Sequence, residues 1–275
     1  GDIAAGGTLT TPPDVDMVSF TGSDLVGRKI LSQASDSLKK VILELGGKSA
    51  NIICRGVNLD QVIMSAAMGF TVHCGQGCAL TTRILVDQSI HDEVVERLKM
   101  FLQFFPVGNP ADPSIMMGPL ISAAQRERVE RYVAIGKEEG AEVAYGGGRP
   151  AGLDKGYYVE PTLFVGVDNK MAIAQEEIFG PVGVVIPFKT EEEAVRLANE
   201  SRYGLGGGVW HPDSARAYEM AKQLRTGLVV VNGGGGGTIS PLGTFGGYKH
   251  SGIGRQCGLE GLEIFTETKT VGWPA

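Results

Sequence analysis

Histidine and cysteine are both scarce, four of each in 275 residues, and their placement excludes several kinds of protein. Cys54, Cys74, Cys78 and Cys257 are too scattered for a disulfide framework and no secretory leader precedes them, so a reducing, cytoplasmic setting is expected. Cys74 and Cys78 stand four apart, but no second pair at zinc-finger spacing joins them, which argues against a metal. No apolar run reaches membrane-spanning length without charges or glycine clusters, so no membrane partner is expected. Basic patches are missing as well. The densest stretch is Lys39-Lys40 in a chain of net charge −6, and nucleic acid is therefore not an expected partner.

Glycine, by contrast, is abundant and clustered, 41 residues in all. With 43% apolar and 20% charged residues, the composition is that of a globular protein long enough for one large domain or two modest ones. Strand-like runs at 16–21, 41–45, 49–54, 82–86, 142–145, 159–165, 182–188 and 227–232 alternate with helical spacing at 24–35, 59–73, 90–104, 122–139, 191–199 and 214–224. Helices between short β-branched runs predict an α/β fold, a mostly parallel sheet covered by helices on both faces. Residues 1–7 give no convincing first element.

Two places carry chemistry. Cys78 ends the run Gly75-Gln76-Gly77-Cys78, and Glu44 lies 34 residues earlier in Leu43-Glu44-Leu45-Gly46-Gly47-Lys48. A thiol attacks an electrophilic carbon and a separate carboxylate activates water, a combination suited to a covalent thioester cycle. The plain alternatives are a buried helix-end thiol for Cys78 and an ion pair with Lys48 or Arg83 for Glu44, since a carboxylate inside an apolar strand needs a partner or a purpose. Gly22-Ser23 follows a strand and precedes a helix, which suits either a phosphate-facing turn or a simple N-cap.

Four stretches in order, Glu44-Leu45-Gly46-Gly47-Lys48, Gly75-Gln76-Gly77-Cys78, Glu176-Glu177-Ile178-Phe179-Gly180-Pro181-Val182 and Phe245-Gly246-Gly247-Tyr248-Lys249-His250-Ser251-Gly252, resemble the aldehyde dehydrogenase superfamily from about Val18 to Val271. The resemblance implies oxidation of an aldehyde to a carboxylic acid through a thiohemiacetal and thioester on Cys78, with Glu44 activating the hydrolytic water. It implies NAD as coenzyme, NADP being left open, with Gly22, Ser23 and Gly27 on the pyrophosphate side, Glu177 on the nicotinamide ribose and Phe179 packed at that end. Gly233, Gly237, Ile239 and Phe245 would line the substrate tunnel, where the glycine run 233–237 supplies no side chains.

Because the first motif arrives early, the chain is expected to be the C-terminal portion of such an enzyme, with the N-terminal part of the coenzyme domain absent. Residues 1–47 would then be a remnant of the Rossmann-like NAD-binding domain, 48–248 the catalytic domain, and 249–275 a return segment. The alternating residues 263–271 of that segment would form a strand used to build a homodimer or homotetramer. Two other functions remain open at this point: a catalytically inactive assembly or regulatory fragment, and a coenzyme-independent thioesterase or esterase acting through Cys78.

Overall fold

The structure, a computed structural model, describes residues 3–233 and 240–274. The chain begins with α1 (Ile3–Thr10), β1 (Met17–Thr21), α2 (Asp24–Ala34), β2 (Lys40–Glu44), β3 (Ala50–Ile53), α3 (Leu59–Thr71), β4 (Arg83–Asp87) and α4 (His91–Gln103). Next come α5 (Ala123–Glu138), β5 (Glu142–Tyr145), β6 (Thr162–Val165), α6 (Ala172–Gln175), β7 (Val182–Phe188), α7 (Glu191–Asn199), β8 (Tyr203–Gly204) and β9 (Gly206–Trp210). It closes with α8 (Ser214–Gln223), β10 (Leu228–Val231), β11 (Tyr248–Lys249), β12 (Gly252–Ile253) and α9 (Gly258–Glu263). Ser23, Asn58, Ser122, Thr190 and Asp213 cap α2, α3, α5, α7 and α8, each side chain accepting a hydrogen bond from a first-turn N–H.

The main sheet has the order β10-β9-β3-β4-β7-β6-β5, parallel throughout except where β5 meets β6. Successive strand residues point to opposite faces, and the two cores follow that period. Ile52, Leu85, Val184 and Ile186 pack with residues of α5, α7 and α8, whereas Ile53, Ile84, Val86 and Val185 pack with residues of α3 and α4. The expected α/β architecture with both faces covered is what the chain forms.

A second sheet, β1-β2-β12, pairs β1 and β2 in parallel and returns β12 antiparallel onto β2. Val18, Ile30, Leu43 and Leu45 give it a small core of its own. The return from residue 249 therefore ends beside Glu44, since Gly252 is in register with it.

Three departures from the sequence reading have physical causes. Residues 3–10 form α1 where no element was expected. Strand β9 was missed because glycines at 206–208 depress strand propensity. These glycines admit close neighbours: a Cβ at Gly208 would sit 2.9 Å from Asn51 Oδ1. The expected strand over 263–271 is not formed; α9 ends at Glu263 and 267–274 follow as irregular chain. Alternation marks a face that a strand would present, but a strand exists only where an edge pairs with it, and this segment meets none within the described residues.

Candidate active site

The strands of the main sheet enter from one end, and the segments just before them build a cleft of about 500 Å³ lined by Gly22, Ser23, Glu44, Cys78, Glu177 and Phe179, among others. Six expected residues from four separate stretches thus converge. Gly27 does not join them: a Cβ there would meet Leu45 at 2.7 Å, so it lets α2 pack on the small core. Gly233 lies against the Trp210 ring, with a hypothetical Cβ at 2.7 Å, just past the carboxyl end of β10 and away from Cys78. Phe245 is bridged to Gln256 by two 2.7 Å backbone hydrogen bonds and does not line the cleft. Gly237 and Ile239 lie outside the described residues.

Cys78 is delivered by a strained turn. After α3, His73 (φ 51°), Cys74 (φ 56°) and Gly75 (φ 69°) all adopt left-handed backbone, which costs a non-glycine residue about 1 kcal/mol or more. Gly75 must be glycine, because a Cβ would strike the Gly180 carbonyl carbon at 2.1 Å. Gln76 fastens the turn, donating to the His73 carbonyl (3.1 Å) and accepting from the Ile121 N–H (3.0 Å). Burial and the charges of Glu177 and Glu44 push the Cys78 thiol up, while the backbone N–H groups of Cys78 and Ala79, directed at its sulfur, pull it down.

Glu44 ends β2 and is 2% exposed. Neither carboxylate oxygen has a hydrogen-bond partner among the described residues. The alternative ion pairs with Lys48 or Arg83 are not formed among the described residues: Arg83 donates instead to the Lys48, Leu197 and Ala198 carbonyls and to Asn169 Oδ1, at 2.8–2.9 Å. Burial raises Glu44 to about 7, with Arg255 opposing. The Phe-Gly-Gly stretch presses on this carboxylate, a Cβ at Gly246 falling 2.8 Å from Oε1. Ser251 locks the arrangement by donating to the Gly46 carbonyl at 2.6 Å.

The Gly46-Gly47 pair lies between two functional groups. Gly47 N–H donates to Glu177 Oε1 at 3.0 Å, and a Cβ at Gly47 would hit the Cys78 carbonyl at 2.2 Å. Burial also raises Glu177. Lys48 is buried and pushed down to about 7 by burial and Arg83, with Glu177 and Glu176 opposing, so it is not a surface lysine.

Gln125 and Arg128 were not recognised from sequence. They share one face of α5 at i, i+3 and hold the Glu177–Phe179 turn. Gln125 donates to the Phe179 carbonyl (2.6 Å), and Arg128 to the carbonyls of Ile178 (3.1 Å) and Glu177 (2.5 Å). A glutamine and an arginine on a polar helix face are too ordinary a signal to single out; only the fold shows that they reach across to this turn.

Unpartnered Glu44 has a measurable consequence for folding. Its folded-state pKa lies above the unfolded value of 4.5, so between pH 4.5 and about 7 the native state holds more protons and stability falls as pH rises. Relative to Glu44→Gln, the native chain should lose about 2–3 kcal/mol on going from pH 4.5 to pH 8. Urea unfolding of both proteins at the two pH values tests this; a stability difference that does not move with pH would contradict the placement of Glu44.

Comparison with known proteins now adds the class. The aldehyde dehydrogenase family model matches residues 1–271, and the chain belongs to that family. It is similar to the crystal structure of an aldehyde dehydrogenase of Mycobacterium tuberculosis complexed with NAD+ (50% identity, TM-score 0.97), covering 100% of this chain and 56% of that one. A betaine aldehyde dehydrogenase of Staphylococcus aureus in complex with NAD+ is 40% identical at TM-score 0.92, over 94% of this chain and 52% of the other. A curated protein of Staphylococcus saprophyticus is 43% identical over 267 residues, 97% of this chain and 56% of its own length.

These matches correct one expectation. The reading as a C-terminal portion with the N-terminal part of the coenzyme domain absent is not upheld: the family match starts at residue 1, and nearly the whole chain corresponds to about 56% of longer relatives. Within residues 17–44, β1, α2 and β2 share a small core of their own. The share of length is what stands.

Proposed function

We propose that this chain carries the acyl-transfer chemistry of an NAD-dependent aldehyde dehydrogenase, with Cys78 as nucleophile and Glu44 as the base that activates water. The observation that supports it best is the meeting of Cys78, Glu44 and Glu177 in one cleft with Gly22 and Ser23. Cys78 loses its proton to the solvent of the cleft, its sulfur bonds to the aldehyde carbon as the carbonyl π pair moves to oxygen, and the thiohemiacetal oxyanion so formed is stabilised by the Cys78 N–H. When bound, the coenzyme accepts the hydride that converts this adduct to a thioester. Glu44 then takes a proton from water as the hydroxide bonds to the thioester carbon, and the carboxylic acid leaves as the Cys78 thiolate is restored.

The donor set fits the nicotinamide-ribose end of the coenzyme. Glu177 offers carboxylate acceptors for ribose hydroxyls, Phe179 is partly exposed at the mouth, and Ser23 at the start of α2 offers polar contact on the other wall. In domain terms, we assign residues 1–47 to the coenzyme side, 48–248 to the catalytic unit, and 249–275 to the return that completes the Glu44 wall. The protein carrying this chain should form NADH from a short aldehyde and NAD, and Cys78→Ala should abolish the signal; NADH formation unchanged in that variant would contradict the reading. A coenzyme-independent esterase is the second reading, supported by Cys78 and Glu44 lining the same cleft.

Self-association belongs to the same proposal. Strand β10, Leu-Val-Val-Val, pairs on one side only among the described residues and leaves a half-buried apolar edge, while Phe265, Val271 and Trp273 stand exposed on the tail. Light scattering should report a dimer or larger, weakened by deletion of residues 263–275. A monomer over a concentration series would reject self-association, and a dimer indifferent to the deletion would move its interface elsewhere.

A further inference from the structure

A second cavity, of about 760 Å³, does not contain Cys78 or Glu44; it opens at the opposite, carboxyl end of the strands, a strand length or roughly 13 Å away. Its walls are the segments that leave β3 (Cys54-Arg55), β4 (Asp87-Gln88-Ser89), β7 (Lys189-Thr190) and β9 (His211-Pro212). The first two lead to α3 and α4 on one face of the sheet, and the last two lead to α7 and α8 on the other. The chain thus parts to opposite faces at the centre of a parallel sheet, where such folds form ligand crevices. The volume lies within the usual range for small-molecule sites.

The side chains divide into committed and free. Glu191 is taken by Arg216 (2.6 Å) and His211 Nε2 (3.2 Å). Glu192 receives hydrogen bonds from its own N–H and from Thr190. Asp87 accepts from the Ser89 N–H (2.9 Å) and hydroxyl (2.6 Å) through Oδ1, leaving Oδ2 open. Arg55 and Lys189 line the crevice, and neither side chain has an ion pair or hydrogen bond among the described residues. They rise from β3 and β7, the two neighbours of β4, and so stand about 10 Å apart with Asp87, Gln88 and Ser89 between them. Among the described residues, no phenyl, phenol or indole ring lines the crevice to stack a base.

We propose that this crevice binds a small phosphorylated polyol, its phosphate held by Arg55 and Lys189 and its hydroxyls by Asp87, Gln88 and Ser89. Free cations at the rim suit a phosphate, carboxylate and amide acceptors between them suit hydroxyls, and the lack of a stacking ring disfavours a nucleotide. The site is separate from the aldehyde cleft, so a ligand here adds to the oxidoreductase reading without depending on it.

Calorimetric titration with ribose 5-phosphate, glycerol 3-phosphate and glucose 6-phosphate tests the assignment, with inorganic phosphate and ribose as separate arms. At least one ester should bind saturably, and phosphate and ribose alone at least about tenfold more weakly. Arg55→Ala and Lys189→Ala should each weaken the ester about tenfold or more, at unchanged thermal unfolding temperature because both residues are exposed. Cys78→Ala should leave ester binding intact. The proposal is overturned by no saturable binding of any of the three esters, by binding indifferent to both cation variants, by phosphate alone binding as tightly as the ester, or by loss of binding in Cys78→Ala.

Discussion

Replacing Glu44 with Gln should leave acylation of Cys78 fast and slow the release of the acyl group by about 10²–10⁴-fold. With p-nitrophenyl acetate, an activated ester that needs no coenzyme, the variant should release one equivalent of nitrophenolate per chain in a burst and then nearly stop. The size follows from the setting of Glu44. Its carboxylate has no hydrogen-bond partner among the described residues, and burial holds its pKa at about 7, the range in which a group both accepts and releases a proton near neutral pH. Gln keeps the shape and loses the basicity. Deacylation in the native chain should therefore rise with pH through about 7 and level off above it, whereas in the variant that step should be absent. A steady-state rate in Glu44→Gln equal to that of the native chain would remove Glu44 from the role of base.

Cys78→Ala should abolish both phases, a loss on the order of 10³-fold or more, because no other thiol is placed to form the adduct. Cys54 and Cys74 are buried, and both thiols are pushed up to about 12. Cys257 is exposed, while Cys78 is partly buried with its thiol raised. Alkylation order between these two therefore says little about catalysis. In a Cys257→Ser background the label should go to Cys78, and a burst persisting in Cys78→Ala would transfer the nucleophile elsewhere.

The alternation of short apolar runs with helical spacing makes most of the main sheet legible, because its strands, buried between two helical layers, read as near-continuous apolar runs. The exceptions are where local chemistry and tertiary demand part company. Strand β9 carries three glycines that local propensity rejects and close packing against Asn51 requires. The alternating tail has the pattern of a strand and no edge to pair with. At the site, the cleft gathers Cys78, Glu44, Glu177 and Phe179, all of which lie in the motifs, whereas Gly27 packs on Leu45 and Phe245 is bridged to Gln256 outside its lining. Gln125 and Arg128 stayed hidden because their function is to hold carbonyls of a turn some fifty residues away in sequence, a relation no local pattern records.

The most direct measurement is mass spectrometry of Glu44→Gln, quenched in acid within the burst after mixing with p-nitrophenyl acetate and then digested. One acetyl group on the peptide containing Cys78, with Cys54, Cys74 and Cys257 unmodified, is the expected result. Acetyl groups spread over several residues, or a Cys78 peptide that stays unmodified while nitrophenolate is released, would contradict the assignment of Cys78 as the nucleophile.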